Sequence, residues 1–190
     1  LSQSQTALRE LAQTAPLTGL ANHRAFRARL DDEVQRARRY GTPLTCIMAD
    51  LDHLKPVNDE LGHAAGDQAI AAVANVIRTE LRDTDFAARY GGDEFVVLLP
   101  HTSAVEGHVF ADRVCARLRE ALMQSGGRQV ALATSFGVAE MPARGGDHAG
   151  EELLRRADDA LYAAKRAGRG QVAVHVERHA AGPAAADAGA

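Results

Sequence analysis

The sequence predicts an α+β domain with a mainly antiparallel sheet, and three observations carry that prediction. Apolar residues recur at helical spacing in some segments and run continuously in others, in the order strand, helix, two strands, helix, strand. Two strand-like runs, FAARY and EFVVLL, flank Gly91-Gly92, which suits a tight hairpin with positive φ at both central residues. A capping box, Ser103 with Glu106, opens a helix soon after that hairpin. The 190 residues suffice for one domain with a real core, and 46% apolar with 25% charged residues is a soluble globular composition. A net charge of −3 gives no general signal for nucleic acid. Any phosphate chemistry must therefore rest on placed cations or a metal.

The elements follow in order. Residues 1–14 are expected to form a linker helix from an upstream domain, since Leu1, Leu8 and Leu11 partly fit a heptad stripe. A start at Leu1 suggests a piece of a longer protein. PLTGLANHRAF turns into a helix with Phe26, Leu30, Val34 and Ala37 on one face, stopped by Gly41. PLTCIMADLD reads as a buried strand ending in acids. A helix from about Gly66 to Arg82 aligns Ile70, Val73, Ile77 and Leu81. The hairpin follows, then a helix over SAVEGHVFADRVCARLREAL and one strand over RQVALATSFGVAEM. GEELLRRADDALYAAKRAG is a helix ended by Gly168, and QVAVHV is a last strand. Residues 15–176 make the domain, and 177–190 are low in complexity and expected to be disordered. The plan is a ferredoxin-like βαββαβ core, with helices expected on one face of the sheet. Cys46 and Cys115 lie in apolar surroundings without metal spacing, as buried thiols of a cytoplasmic protein would. No run is long enough to span a membrane and no leader is visible, so direct membrane contact is not expected.

The acids are the chemical signal. Asp50 ends the first strand, and Asp93 and Glu94 follow the hairpin turn. In a βαββαβ sheet these strands lie centrally, so Asp50 can approach Asp93. Carboxylates held together repel unless a cation sits between them. Magnesium takes such oxygen ligands and keeps substrate phosphates in its shell, so the pattern suits phosphoryl or nucleotidyl transfer. Gly91 and Gly92 leave room for a nucleotide against the backbone. Read alone, the turn is a hairpin with solvated acids, which is common; the combination with Asp50 points to the metal.

GGDEF, residues 91–95, resembles the signature of the GGDEF-domain diguanylate cyclases. The resemblance extends to PLTGLANHRAF, ADLDHLKPVNDELGHAAGD, RDTDFAARYGGDEF, SFGVAE and ADDALYAAKRAGRG, in the family's order, over about residues 15–175. It implies a nucleotidyl cyclase, polymerase-palm-like fold. It also implies a two-fold homodimer that joins two GTP into cyclic di-GMP and releases two pyrophosphates. Asp50, the Leu51 carbonyl and Asp93 would hold Mg²⁺, with Mn²⁺ as a substitute. Asp93 or Glu94 would help deprotonate the attacking 3′-hydroxyl, and Lys55 would stabilise charge on the phosphates. Backbone N–H groups around His53 to Lys55 would face those phosphates, and Lys165 and Arg169 would hold the terminal ones. Asn58 and Asp67 would read the guanine edge, with His63 nearby. An Asp would accept from the N1 and N2 hydrogens of guanine, where adenine cannot donate. Arg82 and Asp85, an R-x-x-D, would form an inhibitory product site with Arg113. An upstream sensory domain would control the pair.

Local readings stand beside these. Lys165 and Arg169 suit a helix C-terminus, Asn58-Asp59 a turn, Asp67 an N-cap, and Arg82 to Asp85 a helix end with a turn. The sequence departs from the family pattern at Ala15 (usually Asp), His23 (often Arg), Leu54 (usually Phe) and Gly170 (often Asn). Asp93 stands for a frequent Glu, and its shorter arm bears on the metal position. Three other functions compete: an inactive domain serving as a GTP or cyclic di-GMP receptor, a different nucleotidyl cyclase or palm, and an interaction domain.

Overall fold

The structure, a computed structural model, describes residues 13–125, 127–142, 146 and 148–176. All of the expected linker helix except Gln13 and Thr14, and all of the expected tail, lie outside the described residues. The elements run β1 (Ala21–Asn22), α1 (His23–Tyr40), β2 (Leu44–Leu51), α2 (Leu54–Leu61), α3 (His63–Glu80), β3 (Phe86–Arg89) and β4 (Glu94–Pro100). Then come α4 (Ala104–Glu120), β5 (Leu122–Ser125), β6 (Arg128–Ala131), β7 (Thr134–Glu140), α5 (Ala149–Arg166) and β8 (Val172–Val174). Six strands form one sheet in the order β1-β3-β4-β2-β7-β8. The inner pairings are antiparallel, and the short outer strands β1 and β8 join in parallel. This α+β architecture with central β2 and β4 is the expected one.

Helices cover both faces of the sheet, where one covered face was expected. Side chains alternate along a strand, so β2 feeds both sides. Ile47, Ala49 and Leu51 join α3, α4 and Phe95 in one core. Leu44, Cys46 and Met48 join α1, α5 and Phe26 in the other. The βαββαβ core supplies α3 and α4 on the first side; α1 and α5, from the chain's two ends, cover the second. Phe95 and Phe26 are both fully buried, one on each side, and each contributes about 1.5–3 kcal/mol. Cys46 and Cys115 are free and buried, as expected. Burial pushes the Cys46 thiol up to about 12.

Local chemistry sets the helix ends. Asn22 caps α1 by accepting from the Ala25 N–H at 3.0 Å, and Gly41 closes it in the left-handed region. The Ser103–Glu106 capping box is present at α4. Other expectations are corrected. Residues 54–61 form a helix of their own, so Asn58 sits in α2 rather than in a turn. Helix α3 starts at His63, which places Asp67 inside it rather than at its cap. It stops at Glu80 because Leu81 is extended. Helix α4 ends at Glu120, since Leu122 pairs with Ala131 in a small separate hairpin. The single strand expected over 128–141 is therefore two, divided where Leu132 turns into the core.

The β3–β4 turn also differs from the two-residue hairpin expected. Neither Gly91 nor Gly92 has positive φ. Tyr90 N–H donates to the Glu94 carbonyl at 2.8 Å, which leaves Gly91 to Asp93 as the loop. A Cβ at Gly91 would stand 2.4 Å from Glu94 Oε2, the end of a flexible side chain, so a larger residue there would displace that carboxylate.

Candidate active site

Strand register assembles the acids. Asp50 lies directly opposite Glu94 on β4 and opposite Ser135 on β7. The Leu51 N–H donates to the Asp93 carbonyl at 3.1 Å, which pins the hairpin turn to the end of β2. Arg89 braces the same turn, its guanidinium donating to the Gly92 carbonyl at 2.6 and 3.1 Å. The Asp50 side chain is 13% exposed and meets Lys165 Nζ at 3.0 Å. Burial pushes its carboxyl above the ordinary value; Lys165 opposes this, and Asp93 and Glu94 add to it. The site thus concentrates negative charge beside one ammonium group, a donor set that fits a hard divalent cation. Among the described residues, no group of three or more His, Cys, Asp or Glu side chains is arranged as a metal cage.

Beside the acids, β2 leads into α2. His53 stands at the N-cap in the left-handed region without a side-chain cap. The first N–H groups of α2 therefore have no partner within the helix, a setting that favours anions. Lys55 is exposed in that turn. Asn58 Oδ1 is buried without a hydrogen-bond partner. It packs where a Cβ on Gly66 of α3 would be, 1.9 Å away. Asp67 follows Gly66 directly, exposed, and His63 is exposed at the start of α3.

Across the site, the turn after α5 carries Arg169. Gly168, Arg169 and Gly170 all have positive φ. The Arg169 Nε lies 3.9 Å from Asp52 Oδ1. Asp52 is a buried carboxylate that the sequence reading passed over. Gly66 and Ser135 were passed over as well. The D-L-D spacing at 50–52 was a signal for Asp52, and a glycine early in a helical segment was one for Gly66.

Arg82, Asp85 and Arg113 come together elsewhere. Arg82 N–H donates to Asp85 Oδ2 at 2.8 Å, and Asp85 N–H returns to the Arg82 carbonyl at 3.0 Å. These residues line a cavity of about 180 Å³ with Val105, Val109 and Phe110 of α4. Arg113 and Arg117 both pair with Glu80.

The pattern of the family described as "Diguanylate cyclase, GGDEF domain" matches residues 12–171. The chain belongs to this family. Relatives and solved GGDEF domains agree. The chain is 43% identical over 166 residues to the diguanylate cyclase DgcP of Pseudomonas aeruginosa, covering 87% of this chain and 24% of DgcP. It is 38% identical over 169 residues to the cyclic di-GMP phosphodiesterase NbdA of the same organism, covering 89% of this chain and 21% of NbdA. It therefore spans about a quarter or less of these two relatives. The coiled coil and GGDEF domain of DgcB from Caulobacter crescentus, solved with c-di-GMP, superposes with a TM-score of 0.85 at 34% identity, covering 90% of each chain. The GGDEF fold, the nucleotidyl cyclase palm, is thus shared. Among the described residues, no helix is long and apolar enough to cross a membrane.

Proposed function

We propose that this GGDEF domain condenses two GTP molecules into cyclic di-GMP and releases two pyrophosphates. The observation that carries the reading is the register that sets Asp50 opposite Glu94, with Asp93 pinned to Leu51 and Lys165 beside Asp50. Asp50, Asp93 and the Leu51 carbonyl would hold Mg²⁺. Three oxygen ligands would leave half of a six-coordinate shell to water and phosphate oxygens, as magnesium prefers. Bound there, the ion supplies charge stabilisation for the attacking and leaving oxygens. The α2 N-terminus and Lys55 face the phosphates, and Lys165 and Arg169 hold the terminal ones. Asn58 and Asp67 bind the guanine edge; the orphaned Asn58 Oδ1 supports this, since it lacks any protein partner.

The chemistry is in-line displacement. The 3′-oxygen of one GTP forms a bond to the α-phosphorus of the other, the bond to the β-phosphate bridge breaks, and pyrophosphate leaves. Asp93 or Glu94 accepts the 3′-hydroxyl proton. One domain holds one GTP, so ring closure needs a two-fold pair of domains. Alignment of the two nucleotides then contributes much of the rate. Arg82, Asp85 and Arg113 form a product site, and their convergence on one cavity supports it.

Product chromatography tests the reading. Purified chain stripped of nucleotide is incubated with GTP and Mg²⁺ beside Asp93→Asn. Cyclic di-GMP from the parent, at a specific activity that rises with protein concentration, and none from the variant is the expected result. A second reading, a cyclic di-GMP receptor without turnover, is favoured by the likeness to NbdA, which is named for the opposite activity. Binding of cyclic di-GMP with no product at any protein concentration would establish the receptor instead.

A further inference from the structure

The buried carboxylate Asp52 has no role in the reading above, yet it touches both of its phosphate-facing features. Its side chain is 1% exposed. It accepts from Ser135 Oγ at 2.8 and 3.0 Å and from the Gly170 N–H at 2.9 Å. Its own N–H donates to the Ala133 carbonyl at 2.8 Å. Ser135 Oγ also accepts from the Gly170 N–H at 3.1 Å, closing a triangle of partners. On one side Asp52 precedes His53 and the start of α2. On the other it grips the turn that presents Arg169.

That turn is costly on its own. Arg169 is a non-glycine residue at φ 64, flanked by Gly168 at φ 125 and Gly170 at φ 56. Left-handed backbone at a residue with a Cβ persists only where its surroundings over-determine it. Here they do: Arg169 N–H donates to the Ala164 carbonyl at 3.2 Å, the Gly170 carbonyl accepts from Cys115 Sγ and Arg119, and Asp52 takes the Gly170 N–H. The guanidinium of Arg169 stays 52% exposed, 3.9 Å from Asp52 Oδ1, so it is oriented without being used up. The parallel with Asp50 is close. Acids two residues apart where β2 ends meet cations four residues apart where α5 ends, Lys165 and Arg169.

We propose that Asp52 is a positioning residue: through Gly170 and Ser135 it fixes the strained turn that aims Arg169 at the terminal phosphates of the nucleotide. The inference rests on the cyclase reading for the identity of that ligand, and the test separates the two. Asp52→Asn keeps the shape but puts an amide donor among donors, which costs a charge-assisted hydrogen bond. The measurement has two arms on the full chain. Amide hydrogen exchange at Gly170 should speed up at least tenfold relative to the parent, with α3 and α4 unchanged. Titration with a non-hydrolysable GTP analogue should show affinity falling about tenfold, while GMP, which lacks the terminal phosphates, shifts by less than about twofold.

Arg169→Ala should mimic the affinity loss, and the double variant should lose no more than Arg169→Ala alone. Should Asp52→Asn fail to fold, Ser135→Ala removes the hydroxyl and should show the same exchange and affinity pattern at smaller size. Unchanged exchange at Gly170, equal losses for GTP analogue and GMP, or additive losses in the double variant would overturn the proposal. A parent that binds no GTP analogue would overturn the cyclase reading and the ligand assigned here, while the exchange arm still decides whether Asp52 holds the turn.

Discussion

Asn58 and Gly66 show how one missing methyl can shape a site. A Cβ at Gly66 would stand 1.9 Å from Asn58 Oδ1 and 2.9 Å from its Cγ. Those atoms end a side chain, so the chain can yield by swinging Asn58 away. Alanine also favours a helix over glycine by about 1 kcal/mol, which offsets much of the displacement. Gly66→Ala should therefore change the melting temperature by only a few degrees, yet raise KM for GTP about five- to tenfold through a lost base contact. Steady-state kinetics beside a thermal melt checks this; an unaltered KM would remove Asn58 from guanine binding. The sequence displayed Asn58 through its motif. It did not display the glycine beneath it, because that contact joins two helices rather than two neighbours in the chain.

At the scale of elements, α5 governs the site through its distance from the sheet. Gly137 of β7 makes the close approach possible. A Cβ there would lie 2.1 Å from Leu161 N and 2.2 Å from the Ala157 carbonyl. These are backbone atoms inside a helix and cannot swing aside, unlike Asn58. Gly137→Ala should push α5 outward and destabilise the fold by at least about 1–3 kcal/mol. Because α5 carries Lys165 to within 3.0 Å of Asp50, the cyclase activity proposed above should fall further than the loss of folded protein explains. Denaturant titration with activity normalised to folded fraction measures both. Periodicity did identify α5, and the rows Leu153, Ala157 and Leu161 do face the core. The boundary errors at α4 and β5–β6 arise because Leu122 leaves its helix to pair with a strand still to come.

For the whole molecule, the chain links two remote places. The Arg82–Asp85 turn leads directly into β3, which ends at the hairpin bearing Asp93. In the cavity beside that turn, Arg113 is shared with Glu80, so an incoming phosphate competes with a carboxylate for it. If the cavity binds product, Arg82→Ala should raise the cyclic di-GMP concentration needed for half-inhibition about tenfold or more, by loss of a charge-assisted contact. Progress curves with added cyclic di-GMP check this, and unchanged inhibition would place product control elsewhere. The two cores on opposite faces of one sheet mean that both remote sites are tied to the same central strands.

The family, the order of the main elements, the hairpin that carries the acids and the residues named by the motifs are legible along the chain. Those features are local: spacing, caps and short signatures are written along the chain. Only the folded chain shows what covers the second face of the sheet, that Gly137 must be glycine, and what Asp52 touches. Asp52 meets Ser135 across 83 residues and Gly170 across 118. Strand register and helix approach set such meetings, and no periodicity within a single segment records them.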